Sequence, residues 1–178
     1  MEELTSSNDM SFIERATFTD AFGFERRVGV SAQYAKGPVL AQAGVFSDDI
    51  GALGNDDNDS LSLDGRVVFA PKLGDAQLHV GASAHWRDLG ATNNGARYRQ
   101  RPLVAFTDTR FIDTGVFSAT NETSYGVEGA FISGRFHGAG ETHWMTVTRP
   151  GVADPKFFGG ALELGYFLTP HTRSYGGG

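Results

Sequence analysis

From Arg27 onward the chain changes side at every residue. Val28, Val30, Ala32 and Tyr34 alternate with Arg27, Gly29, Ser31 and Gln33. Leu61, Leu63, Gly65, Val67 and Phe69 alternate with Ser62, Asp64, Arg66 and Val68. The pattern returns with Leu78, Val80, Ala82, Ala84 and Trp86 against His79, Gly81, Ser83, His85 and Arg87. It returns again with Thr123, Tyr125, Val127, Gly129 and Phe131 against Glu122, Ser124, Glu128 and Ala130. A period of two belongs to the strand, in which successive side chains stand on opposite faces. The pattern predicts an all-β, antiparallel meander of about eight strands, each with one apolar and one polar face.

The connections carry a second pattern. Lys36-Gly37-Pro38 and Pro71 to Asp75 are short turns, whereas 47–60 and 88–96 are long and polar. Gly134-Arg135 turns the chain again, and a last strand carries Phe158, Leu162, Leu164 and Tyr166 around Glu163. Residues 107–121 are ambiguous, and Arg110 to Asp113 reads as a short strand or a folded-in loop. Strands of 8 to 12 residues, with short turns at one end and long loops at the other, match what a tilted strand needs to cross a bilayer. Tyr34, Phe46, Phe69 and Trp86 fall near strand ends, where aromatic girdles sit, and Trp144 suits the same interface. A soluble sandwich also alternates polar and apolar positions, so periodicity alone leaves both folds open.

Composition narrows the function classes. A formal net charge of −6 argues against a general nucleic-acid binder. With no cysteine, disulfides and thiolate chemistry are absent, which suits an intracellular or an envelope protein equally. No run of 18 apolar residues marks a transmembrane helix. The content of 24 glycines and 14 phenylalanines favours strands and turns. No nucleophile-elbow motif is present, so a hydrolase is not expected. His79 and His85 stand six residues apart and read as polar lining rather than as a metal site. The acidic cluster Asp48, Asp49, Asp56, Asp57 and Asp59 lacks the ordered ligand spacing of a calcium loop and reads as solvated. No cofactor is expected.

One segment carries concentrated charge. Arg97, Arg99 and Arg101 occupy alternate positions ahead of Pro102. In an extended strand their guanidiniums share a face, about 6.6 Å apart. At that spacing neighbours repel by about 2.5 kcal/mol at an effective dielectric near 20. Such a row suits an anion that binds to it or moves along it, because guanidinium stays charged and presents a planar fork to phosphate oxygens. A solvated face or a charge-protected sheet edge is the alternative.

Several strings together resemble the phosphate-selective porin O/P family of bacterial outer membranes. They are Leu4 to Asp9 with Phe12-Ile13-Glu14-Arg15, Gly44-Val45-Phe46, Gly65 to Pro71, His79 to Ser83, Arg97 to Pro102, Phe111 to Gly115 and Tyr166 to Thr169. The resemblance runs in order over nearly the whole chain. It implies a sixteen-stranded barrel in the bacterial outer membrane, assembled as a homotrimer and embedded in lipid. Phosphate or other small anions would pass a constriction lined by arginines. It matches Arg97, Arg99 and Arg101 to the family's arginine ladder and makes Arg15 a further constriction candidate. Arg27, Arg66 and Arg87, on polar strand faces, join the candidate pore lining, and Arg66 is expected to pair with Asp64.

The expectation is therefore an anion channel rather than an enzyme, with residues 1–178 forming one segment of the barrel truncated at both ends. A non-selective porin of the same fold and a soluble all-β domain for an acidic ligand are the alternatives. About eight strands leave two open edges and enclose no lumen by themselves.

Overall fold

The computed structural model describes residues 17–22, 27–47, 59–90, 95–100 and 108–176. After a five-residue helix α1 (Thr17–Ala21) come β1 (Val28–Lys36), β2 (Val39–Ser47), β3 (Leu61–Phe69), the short β4 (Lys72–Leu73) and β5 (Ala76–Asp88). Four two-residue strands follow: β6 (Gly95–Ala96), β7 (Arg99–Gln100), β8 (Ile112–Asp113) and β9 (Phe117–Ser118). The long strands β10 (Asn121–Ser133), β11 (Phe136–Thr148) and β12 (Lys156–Tyr166) complete the described chain.

All seven long strands join one sheet in the order β1-β2-β3-β5-β10-β11-β12, with β4 paired to β5, every pairing antiparallel. The sheet is open, with β1 and β12 at its edges. The meander and the strand count agree with the alternation read from the sequence.

The short turns are built as the sequence dictates. Gly37 and Gly134 each stand first in a two-residue turn with φ of 58° and 57°. The second residues, Pro38 and Arg135, are not in the left-handed region. That combination is the II′ turn, whose twist matches that of the flanking strands. All short turns lie at one end of the sheet, and the strand ends Ser47, Leu61, Asp88, Asn121, Thr148 and Lys156 lie at the other.

Register fixes the two faces. Val30, Tyr34, Val45, Leu63, Val67, Val80, Val127, Phe158, Leu162 and Leu164 stand on one face, all exposed, with Val30 at 80% and Leu162 at 78%. On the other face lie buried polar groups: Ser62, His79, His85, Glu122, Ser124 and Glu141. This inverts the plan of a soluble sheet, which buries its apolar face. The apolar face is bounded by aromatics at both ends, Phe136 against Tyr166 at 4.5 Å and Trp144 against Phe158 at 5.5 Å. From Phe136 to Trp144, and from Phe158 to Tyr166, the strand advances eight residues. That is about 26 Å along the strand and about 20 Å after a tilt near 40°, close to the ~25 Å apolar band of an outer-membrane barrel.

The arginine row departs from its expected place in a wall strand. Arg97 and Arg99 lie in the long connection between β5 and β10. That connection folds as an arm in which β6 pairs with β9 and β7 with β8. The base of the arm is closed by the Leu89 amide donating to the Thr120 carbonyl at 2.9 Å. Segment 110–113, ambiguous in the sequence, is the returning limb. Arg101 and the expected continuation through Leu103 to Phe106 lie outside the described residues, as do Arg15 and most of the acidic loop.

Candidate functional site

The arm lies against the inner, polar face of the sheet. Its apolar side chains Leu89, Ala96, Tyr98, Phe117 and Ala119 pack with Met145 and Val147 of β11, Phe157 and Ala161 of β12, and Phe18 and Phe22 of the helical segment. Tyr98 is the centre of this contact. Its ring lies 4.9 Å from that of Phe157 and 6.0 Å from that of Phe117, and its hydroxyl donates to Glu122 Oε1 at 2.8 Å. Burial first, then the neighbouring Glu122 carboxylate, push the Tyr98 hydroxyl far above the usual phenol range. The hydroxyl therefore stays a donor.

Anchoring Tyr98 sets the faces of the arm. Tyr98 and Gln100 are buried, whereas Arg97 and Arg99 are exposed. The alternation expected of the row therefore holds over these four residues. Arg97 is engaged by Asp113 of the returning limb, with Nε donating to Oδ1 at 2.9 Å and Nη2 to Oδ2 at 2.6 Å. The Arg97 hydrogen bonds, with that from the Gly115 amide, hold the Asp113 carboxyl well below the usual carboxylate range. Arg99 is the register partner of Asp113 but makes no ion pair with it, and no other described carboxylate pairs with Arg99. Its guanidinium is exposed and adds to the field that holds Asp113 ionised.

Below the arm the wall is a network of compensated charges. Arg66 donates to Glu128 Oε1 through Nε at 3.1 Å and Nη2 at 2.5 Å, and to Gln42 Oε1 at 3.3 Å. Gln42 in turn donates to Gln33. The expected pairing of Arg66 with Asp64 does not occur. Instead Asp64 Oδ1 meets His85 Nδ1 at 2.5 Å, and its other oxygen lies 3.9 Å from Arg27, which also donates to Ser62. Asp64 meets its direct register partner His85 on β5, whereas Arg66 reaches across β5 to Glu128 on β10, over the position where Gly81 carries no side chain.

Gly81 is the register partner of Glu128, and a Cβ there would come within 2.5 Å of Glu128 Oε1. The missing side chain lets that carboxylate fold over β5 and reach both Arg66 and His79 Nε2, the latter at 2.9 Å. Arg87 is the register partner of Ser62 and of Glu122, beneath the arm. A trough of about 410 Å³ opens among these groups, its lining mostly apolar, with Phe18 and Phe46 beside the charged Arg27, Asp64, Arg66 and Glu128. Among the described residues no cluster of acids and histidines is arranged to hold a metal.

The structure thus brings Arg27, Arg66 and Arg87 to the inner face and places Arg97 and Arg99 on the arm above it. Asp113, Glu128 and Tyr98 were not identifiable as site residues from the sequence. Asp113 sat in the ambiguous stretch, and the role of Glu128 appears only once β5 and β10 are set in register.

A sheet whose exposed face is apolar and whose covered face is charged is a wall segment of a transmembrane β-barrel. The chain belongs to the phosphate-selective porin O and P family, whose sequence model matches residues 1–178. It is also similar to an uncharacterised protein of Caulobacter vibrioides, 55% identical over 187 residues. That match covers all of this chain and 38% of the relative, so the chain spans well under half of the relative's length. The family is a channel family of bacterial outer membranes.

Proposed function

We propose that this chain forms part of the wall of an outer-membrane channel, one sixteen-stranded barrel of a homotrimer, through which phosphate or related small anions diffuse passively. The carrying observation is the arm. It folds over the polar face and holds Arg97 and Arg99 exposed while Tyr98 and Gln100 anchor it. Fixed guanidiniums above a wet, low-dielectric-walled lumen focus a positive potential rather than losing it to bulk solvent. Several comparable sites in sequence let an anion hop, whereas one deep site would trap it. Arg99 is the leading anion contact; Arg101 continues the row. Arg97 is shared with Asp113, and Arg27 and Arg66 serve mainly to neutralise Asp64 and Glu128.

The charge pairing along the wall also supports a less selective porin of the same fold, in which the arm alone discriminates. Bilayer conductance of the full-length protein separates the two readings. Replacing Arg97, Arg99 and Arg101 by alanine abolishes anion preference under the selective reading. An unchanged phosphate-to-chloride ratio removes the row from the mechanism. The exposed apolar face disfavours a soluble domain for an acidic ligand, and a protein that remains monodisperse without detergent would overturn the membrane assignment.

A further inference from the structure

Four of the five histidines stand on the inner face: His79 and His85 on β5, His137 and His143 on β11. Each lies beside a carboxylate. His79 Nε2 is 2.9 Å from Glu128, His85 Nδ1 is 2.5 Å from Asp64, and His137 Nε2 is 4.0 Å from Glu163. His143 shares β11 with Glu141, which is the register partner of Glu128. We propose that these histidines determine the charge selectivity of the channel, making the lumenal wall near neutral in mildly alkaline medium and cationic in mildly acidic medium. The inference rests on the channel reading above.

The charge count on this face is close to balance. Arg27, Arg66, Lys72, Arg87 and Arg173 stand with Asp64, Glu122, Glu128, Glu141 and Glu163. With neutral histidines the described wall is balanced; four protonations would give it an excess of four. Histidine is the side chain whose charge ordinarily changes between pH 5 and 8.

The hydrogen bonding of His79 suits both of its states. Neutral, it donates from Nε2 to Glu128 and accepts the Tyr175 hydroxyl at Nδ1, 2.9 Å away. Protonated, it donates from both nitrogens and the tyrosine rotates to accept, so no bond is lost. Arg66 is the other described charge on that carboxylate. His85 donates from Nδ1 to Asp64, which Arg27 also approaches. His137 faces Glu163, itself paired with Arg173 at 3.1 Å, and lies against the Phe167 ring. His143 is stacked on Phe18 at 5.4 Å and faces Glu141 and Glu128. Every histidine therefore has a carboxylate beside it on the same face.

The test is the reversal potential of the full-length protein in planar bilayers under a potassium chloride gradient, at about pH 8 and about pH 5. The anion-to-cation permeability ratio rises several-fold on acidification in the native protein. It stays flat in a variant carrying His79→Gln, His85→Gln, His137→Gln and His143→Gln. Should that variant fail to insert, His137→Gln with His143→Gln suffices and removes part of the rise. A rise that persists undiminished, or no rise in the native protein, overturns the inference while leaving the channel intact. Absence of any conductance at either pH overturns the channel reading itself.

Discussion

Arg97 and Asp113 form a two-pronged ion pair across the limbs of the arm, Nε to Oδ1 at 2.9 Å and Nη2 to Oδ2 at 2.6 Å. The pair ties the first arginine of the row to the returning limb and leaves Arg99 exposed beside it. Replacing Asp113 by asparagine removes one negative charge beside both guanidiniums. The expected outcome is a several-fold rise in the anion-to-cation permeability ratio, read from reversal potentials. An unchanged or reduced ratio would place the arm away from the conduction path.

The same pair makes the arm sensitive to acid. Asp113 titrates well below an unfolded aspartate, so the folded arm favours its ionised form. Its contribution is complete above about pH 4, where an unfolded aspartate is ionised, and is lost as pH falls below that value toward the folded titration point. Protection factors of the arm amides should therefore fall under acid more in the native protein than in Asp113→Asn, which has already lost the ionisable group. An equal fall in both would remove Asp113 as the cause.

Tyr98 anchors the arm through two separable interactions. Tyr98→Phe keeps the ring but leaves Glu122, 7% exposed, without that donor. The cost should be about 1–3 kcal/mol. Tyr98→Ala also empties the space between Phe117 and Phe157 and should cost about 3–5 kcal/mol. Urea unfolding in detergent micelles reads both. Equal costs for the two variants would mean that the ring packing contributes nothing.

The apolar face is tested at Leu162, midway along β12 and 78% exposed. Leu162→Arg should destabilise the vesicle-inserted protein by about 2–4 kcal/mol, the penalty for a cation at the bilayer midplane. In a soluble protein an arginine at so exposed a position would be nearly neutral. A negligible effect in lipid would mean that this face does not meet the bilayer.

The wall was legible because strand chemistry is local. Leu61 to Phe69 and Leu78 to Trp86 announce their faces by alternation, and Gly37 and Gly134 announce their turns by a conformation other residues avoid. The arm was not legible as an arm. Arg97 to Arg101 alternates as a wall strand does, and nothing nearby indicates that the backbone of Arg99 is set in register with Asp113 rather than with a long strand. That outcome depends on β5 finding β10, which begins more than thirty residues later, and so expelling the intervening segment from the sheet.

The sequence by itself determined which residues share a face, where the tight turns fall, and that three arginines project alike if their segment is extended, since each follows from backbone geometry within a few residues. Tertiary structure alone decided that the charged face is the covered one, that Glu128 rather than Asp64 receives Arg66, and that the arginine row rides on an inward-folded arm with Asp113 against its first member. Those are choices among partners distant in the chain. Ion pairs and packing depend on distance in space, which pairing register sets and local alternation does not contain.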